Sequence, residues 1–329
     1  MKNVEKDMKN EGKGRKKVLW GFIYVVSFIV VFAASAIIKM TYDPVSEKMQ
    51  VNWNDSVGRV YTDIAYGEKE QNKFDLYVPA DNTKKSYSLV VYLHAGGFAA
   101  GDKSDDANML KWLTSKGYVA AGINYTLRNE SNQASVYTMS QDIKNSIPVV
   151  KAEAEKLGYN LGRLAISGGS AGGTLALLYA YRDADTSPIP VKMVFEMVGP
   201  PSFYPEDWTP YGLDQSPEAA ADLFSIMSGN TITTDMIGTA SYDEAVKNIS
   251  PYMWIDENSV PTLVGYGKYD KVAPFGTVKH LINALEENKV PYDYIEFPHS
   301  GHGLQNDTKL YLKYIEKINE YLEQYMGSE

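Results

Sequence analysis

The sequence predicts an α/β fold, with a mostly parallel central sheet and helices on both of its faces. Three observations carry that expectation. Between Tyr87 and Val198, short and continuously apolar runs alternate with longer segments of helical period; strands without a wet face belong to sheets covered on both sides. A glycine-rich turn, Gly168-Gly169-Ser170-Ala171-Gly172, lies between the apolar run Leu164-Ala165-Ile166 and a helical pattern that begins Leu175-Ala176-Leu177-Leu178. Finally, about 289 residues follow Met40 with no low-complexity linker and no internal repeat to divide them, enough for one large core.

The elements follow in chain order. Residues 1–17 carry Lys2, Lys6, Lys9, Lys13, Arg15, Lys16 and Lys17 against only Glu5, Asp7 and Glu11, and read as a cytoplasmic basic tail. Residues 18–38 then contain no charge, and such a run is long enough to cross about 30 Å of hydrocarbon as a helix. The basic cluster before it predicts an inward N-terminus, a single-pass transmembrane anchor at the cell membrane and an exported domain over 41–329. Ala34-Ser35-Ala36 also fits a cleavage site, so a removed secretory signal is the competing reading.

Within 41–329, Thr41 to Asp63 is polar and weakly patterned and reads as a tether followed by entry into the fold. Phe74 to Val78 alternates and stops at Pro79, the signature of an edge strand. Buried strands are expected at Tyr87 to Leu93 and Tyr118 to Ile123, with helices at about 106–115 and 135–156. After the glycine-rich turn and its helix comes the apolar run Val191 to Val198. Residues 199–259 break the rhythm with six prolines and a scatter of aromatics, including Phe203, Tyr204, Trp208, Tyr211, Phe224, Tyr242, Tyr252 and Trp254. A segment of that length between two strands usually folds over the strand ends that carry a site, so it reads as a cap-like insertion. Its aromatics either line a pocket or pack the insertion onto the body. The sheet resumes at Thr262 to Tyr266 and Pro291 to Phe297, with helices at 275–287 and 309–325.

Charge and composition exclude several functions. The chain has a formal net charge of -9; residues 41–329 hold 24 of its 32 Lys and Arg and 38 of its 41 Asp and Glu, for a formal -14. No basic footprint for nucleic acid exists in such a domain. Cysteine is absent, which removes disulfides, thiolate nucleophiles and cysteine-ligated metal sites.

Chemistry concentrates around Ser170. A serine on a sharp turn between strand and helix needs small neighbours, and Gly168 and Gly172 supply them. The following helix would start beneath the hydroxyl, with its free N–H groups and positive end toward developing charge. Such a nucleophile requires a base and a group to orient the base. Four histidines are available. His280 falls inside a helix, and His94 follows the first buried strand. His299 and His302 both lie in the loop after the last strand, Pro298-His299-Ser300-Gly301-His302-Gly303, and the glycines flanking His302 favour it as the base. Asp270, just beyond the strand Thr262 to Tyr266, is the candidate orienting acid; alone it would read equally as a turn aspartate. The order Ser170, Asp270, His302, each at a strand end, strengthens all three. Backbone N–H groups of Gly96, Gly97 and Ala171 are the candidate oxyanion donors, with His94 shaping the loop. No metal site and no cofactor are implied.

Together these stretches resemble the α/β-hydrolase superfamily, and more narrowly the hormone-sensitive-lipase-like and feruloyl-esterase-like carboxylesterases. The similar segments are LVVYLHAGGFAAGD (89–102), LAISGGSAGG (164–173), SPYMWIDENSVPTLVGYGKYDKVAP (250–274) and FPHSGHG (297–303). The resemblance implies an α/β-hydrolase fold and a serine hydrolase of small or acylated carboxylic esters. It gives Ser170, Asp270 and His302 the triad roles and Gly96, Gly97 and Ala171 the oxyanion roles. Ala95 stands where many relatives have glycine, and Gly169 replaces an acidic residue found in some lipase-like members. An exported serine peptidase of the same fold, or a binding module retaining the shell, are the alternatives.

Overall fold

Each apolar run becomes a strand of one eight-stranded sheet in the computed structural model, which describes residues 44–327. Among the described residues a short helix, Pro44–Met49, comes first, and the α/β unit begins at Met49. Its strands are β1 (Gly58–Ala65), β2 (Lys73–Pro79), β3 (Tyr87–Leu93), β4 (Val119–Ile123), β5 (Leu161–Gly169), β6 (Val191–Met197), β7 (Thr262–Gly267) and β8 (Tyr292–Phe297). They lie in the order β1-β2-β4-β3-β5-β6-β7-β8. The β1/β2 and β2/β4 pairs are antiparallel, and every later pair is parallel.

The helices are α1 (Ala107–Ser115), α2 (Val136–Lys156), α3 (Ala171–Leu178), α4 (Pro217–Ser228), α5 (Ala240–Lys247), α6 (Val278–Glu287) and α7 (Thr308–Met326). The two-residue period of the strands divides them between the faces. Leu89, Val91, Leu93, Leu164 and Ile166 join the apolar layer under α2, α3 and α6. Val90, Tyr92, Ala165, Phe195 and Leu263 join the layer under α1 and α7. Both layers are closed to water, so truncating a side chain such as Ile166 would cost about 2–5 kcal/mol. Ser135 caps α2 with a reciprocal pair of hydrogen bonds to Thr138, which explains why that helix begins where the sequence places it.

Two expectations need correction. Phe74 to Val78 is not an edge: β2 pairs on both sides, and the edge belongs to β1, which begins at Gly58 and takes up the last residues of the stretch read as a tether and entry. The alternating exposure of β1 and its polar sequence hid it. The N-terminal transmembrane helix is the second. Residues 18–38 lie outside the described residues, and among the described residues no helix is long and apolar enough to cross a membrane. The membrane partner, the single-pass topology and the cell-membrane location that rested on that helix are therefore withdrawn.

Residues 199–259 run from the end of β6 to just before β7 and contain α4, α5 and several 3-10 turns. Phe203, Trp208, Phe224 and Tyr242 are buried there and pack ring against ring, with centroid separations of 5.6 to 6.4 Å. Tyr211, by contrast, is about half exposed.

Candidate active site

The site is assembled where parallel strands end and helices begin. Ser170 follows β5 and has φ 53°, a left-handed conformation that few non-glycine residues adopt. Its own N–H donates to the Met197 carbonyl (2.8 Å), which fixes the turn against the end of β6. Helix α3 starts immediately behind it. A Cβ on Gly172 would lie 2.0 Å from the Leu93 carbonyl oxygen, so only glycine lets this helix sit on the end of β3. That contact brings the loop after β3 beside the serine.

Hydrogen bonds then run through three elements. His302 Nε2 is 2.9 Å from Ser170 Oγ, and His302 Nδ1 is 2.8 Å from Asp270 Oδ2. The other carboxylate oxygen of Asp270 accepts from the N–H groups of Val272 (2.9 Å) and Ala273 (3.0 Å), which orients it. The Asp270 side chain is fully buried, whereas the His302 ring keeps about a quarter of its surface open. Main-chain bonds from Lys268 to Phe297 and from Tyr269 to Ser300, both 3.0 Å, tie the loop after β7 to the loop after β8. Acid and base are thereby held in register.

The loop after β3 turns through Gly96 (φ 129°), Gly97 (φ 59°) and Phe98 (φ 65°). The N–H groups of Gly97 and Ala171 donate to no protein acceptor among the described residues. His94 is buried and stacks on Tyr125 at 4.3 Å, with its Nδ1 2.7 Å from the Ala95 carbonyl. Burial pushes the His94 pKa down, which keeps the ring neutral. Tyr125 Oη donates to the His94 carbonyl (2.9 Å), so the residue is part of the loop's frame.

The remaining two histidines lie apart from Ser170's hydrogen bonds. His280 Nε2 meets Asp207 (2.8 Å), and His299 Nδ1 meets Asp307 (2.8 Å). Asp307 was not singled out from the sequence, yet it organises the loop that presents His302. Its carboxylate accepts from the His299 N–H (3.0 Å) and from Ser300 Oγ (2.6 Å). Burial pulls its pKa upward, but the hydrogen bonds from Ser300 and His299 outweigh it and hold the value below the ordinary range. The signal available in the sequence was an aspartate just ahead of a helical pattern. Glu196 was also missed; its signal was a lone acid among the apolar residues of β6.

An eight-stranded, mostly parallel sheet with a serine turn after β5, an acid in the loop after β7 and a histidine in the loop after β8 defines the α/β-hydrolase class. The sequence signature of the BD-FAE family matches residues 74–285, more than half of the chain. The chain belongs to the BD-FAE family, an α/β-hydrolase-fold family of feruloyl-esterase-like esterases. Among curated proteins it is similar to esterase LipC of Mycobacterium tuberculosis, 23% identical over 248 residues, which takes in 73% of this chain and 59% of LipC. The chain thus spans little more than half the length of that relative. Among solved structures it is similar to esterase Est2 of Thermogutta terrifontis with propionate bound (TM-score 0.62, 22% identity, 83% of this chain and 96% of the other). A truncated carbohydrate esterase from gut microbiota is also similar (TM-score 0.59, 19% identity, 83% and 99%).

Proposed function

We propose that this protein is a carboxylesterase that cleaves small or acylated esters through an acyl-enzyme on Ser170. The observation that carries the reading is the unbroken hydrogen-bond chain from Asp270 through His302 to Ser170. With Nδ1–H donating to Asp270, His302 Nε2 is left as an acceptor and takes the serine proton as Oγ attacks the ester carbonyl. The carbonyl oxygen becomes an oxyanion, and the N–H groups of Gly96, Gly97 and Ala171 are its proposed donors. Each such donor is worth about 3 kcal/mol in the transition state. His302 then protonates the departing alkoxide, giving the alcohol and the acyl-enzyme. Water enters, loses its proton to His302 and attacks the acyl carbon; Ser170 leaves with that proton, and the carboxylic acid is released.

We read residues 199–259 as a cap on this domain. Support comes from two ties to the elements around Asp270: Tyr211 Oη donates to the Val272 carbonyl (2.8 Å), and His280 of α6 meets Asp207 (2.8 Å). Short acyl groups on sugars or small alcohols are the proposed substrates, in line with the propionate complex of the similar Est2 and the similar carbohydrate esterase.

The test is a panel of p-nitrophenyl esters of increasing acyl length, acetylated xylo-oligosaccharides, methyl ferulate and aminoacyl amides. The expected result is highest kcat/KM on short acyl esters. Cleavage confined to aminoacyl amides would replace the esterase reading with a peptidase.

A further inference from the structure

Among the described residues Glu196 is the one acidic side chain buried within a central strand beside the proposed site, and the chemistry described above does not use it. It sits near the end of β6, paired in register with Gly168 of β5 on one side and Val264 of β7 on the other. Its exposure is 0%. One carboxyl oxygen, Oε2, accepts from the Gly199 N–H at 2.7 Å, and Oε1 has no hydrogen-bond partner. A charged group in that position has no cation to balance it. The titratable groups that face it are Asp270 after β7 and the phenols of Tyr92, Tyr181, Tyr266, Tyr294 and Tyr314.

The hydrogen bond to Gly199 closes a turn that bears on the nucleophile. Val198, inside that turn, has φ 52°, a conformation that a β-branched residue adopts only when its surroundings impose it. Gly199 packs directly on the first turn of α3: a Cβ there would lie 2.7 Å from the Gly173 carbonyl carbon and from the Thr174 nitrogen. Thr174 Oγ1 donates to the next carbonyl, that of Pro200 (2.9 Å), and a Cβ on Gly173 would come 2.8 Å from Glu196 Oε2. On the strand side, Ser170 N–H donates to Met197, the residue after Glu196 (2.8 Å). The carboxyl therefore holds together the exit of β6, the strained turn and the start of the helix that carries Ser170.

We infer that Glu196 is a positioning residue for Ser170, clamping the β6 exit turn onto the nucleophile helix through its bond to Gly199; the inference rests on the esterase reading above. The clamp works as a neutral acid. Burial, opposed by the Gly199 N–H and reinforced by the charge of Asp270, pushes the Glu196 pKa well above the ordinary 4.5. The folded state keeps this proton at pH values where the unfolded chain has lost it. Folded protein then binds more protons than unfolded, and this group lowers stability as pH rises from about 4.5 toward its raised value.

The experiment compares Glu196→Gln and Glu196→Asp with the native chain in two measurements: Tm at pH 5 to 8, and kcat and KM on a short-chain p-nitrophenyl ester per site titrated with a fluorophosphonate. Gln retains an acceptor for Gly199 and removes the ionisable proton. It should keep kcat within about threefold and flatten the fall of Tm with pH relative to the native chain. Asp is one methylene short of Gly199 and should lower kcat about tenfold per titrated site at unchanged KM. Parallel Tm slopes for native and Gln proteins would overturn the inference, as would an unchanged kcat in a folded Asp variant or a collapsed kcat in the Gln variant. Should the Asp variant not fold, the Gln comparison decides alone. A native chain that hydrolyses no ester would sink the esterase reading instead, and the Tm comparison, which needs no substrate, still tests the neutral buried acid.

Discussion

His302 and His299 stand three residues apart in one loop, and each places Nδ1 2.8 Å from an aspartate oxygen, that of Asp270 or of Asp307. The pairs are chemically alike, but their surroundings are not. The His302 side chain is about three-quarters buried and its second nitrogen meets Ser170 Oγ, whereas the His299 side chain is 75% exposed. In the first pair the aspartate orients the ring; in the second, the aspartate is itself the centre, gathering the His299 N–H and Ser300 Oγ to close the loop. His280 with Asp207 is a third such pair, and it joins a turn of the 199–259 segment to α6. A histidine beside a carboxylate is thus an ordinary structural device, and the third partner makes the difference.

The comparison breaks most directly on the histidines themselves. His302→Ala should lower kcat by about 10⁵-fold or more, and combining it with Ser170→Ala should add almost nothing, since the proposed base and nucleophile would act as one unit. Steady-state kinetics on a short acyl ester provides the check; additive losses would separate the two residues. Next comes Asp270→Asn. It preserves shape but presents a donor where the ring needs an acceptor, so the ring nitrogen roles are reversed and kcat should drop by about 10⁴-fold with folding intact.

A smaller effect separates the two aspartates. Asp307→Ala frees the loop but leaves Asp270, His302 and Ser170 in place, and kcat should fall about tenfold with KM little changed. Its depressed pKa adds a stability signature. Carboxylate Asp307 contributes stability above the ordinary carboxyl range, and that contribution disappears as pH falls through its lowered folded value. Thermal melts from pH 6 down to pH 2 should therefore show a shallower acid loss in the variant than in the native chain. His299→Ala marks the lower end, because its side chain is 75% exposed, touches no part of the proposed chemistry, and leaves Asp307 its bonds from the residue 299 N–H and Ser300 Oγ. Activity within about twofold of native is expected, and a large loss would show that the loop needs both rings.

The same contrast explains what could be read from the chain. Strands buried on both faces, such as Tyr87–Leu93 and Thr262–Gly267, announce themselves by composition, and so does the turn around Ser170. Asp270 was singled out because it follows such a strand and His302 because glycines flank it in the loop after β8, and the structure places His302 within hydrogen-bonding distance of both Asp270 and Ser170. Strand β1 was not legible: half of its residues face water, so its period is set by pairing with β2 and not by burial. Asp307 and Glu196 escaped for a different reason. Their roles depend on which nearby backbone N–H groups fold back upon them, that of Gly199 on Glu196 and that of His299 on Asp307, and these turn conformations leave no compositional mark.

The central claim is that Ser170 alone is activated, and by His302, not by His299. Labelling with a fluorophosphonate tests it most directly, followed by mass mapping of the modified peptide and by labelling rates in Ser170→Ala, His302→Ala and His299→Ala. The account predicts one adduct on Ser170, none in Ser170→Ala, a rate reduced by several orders of magnitude in His302→Ala, and a near-native rate in His299→Ala. An adduct on another residue, or a His302→Ala protein that labels as fast as native while His299→Ala does not, would contradict it.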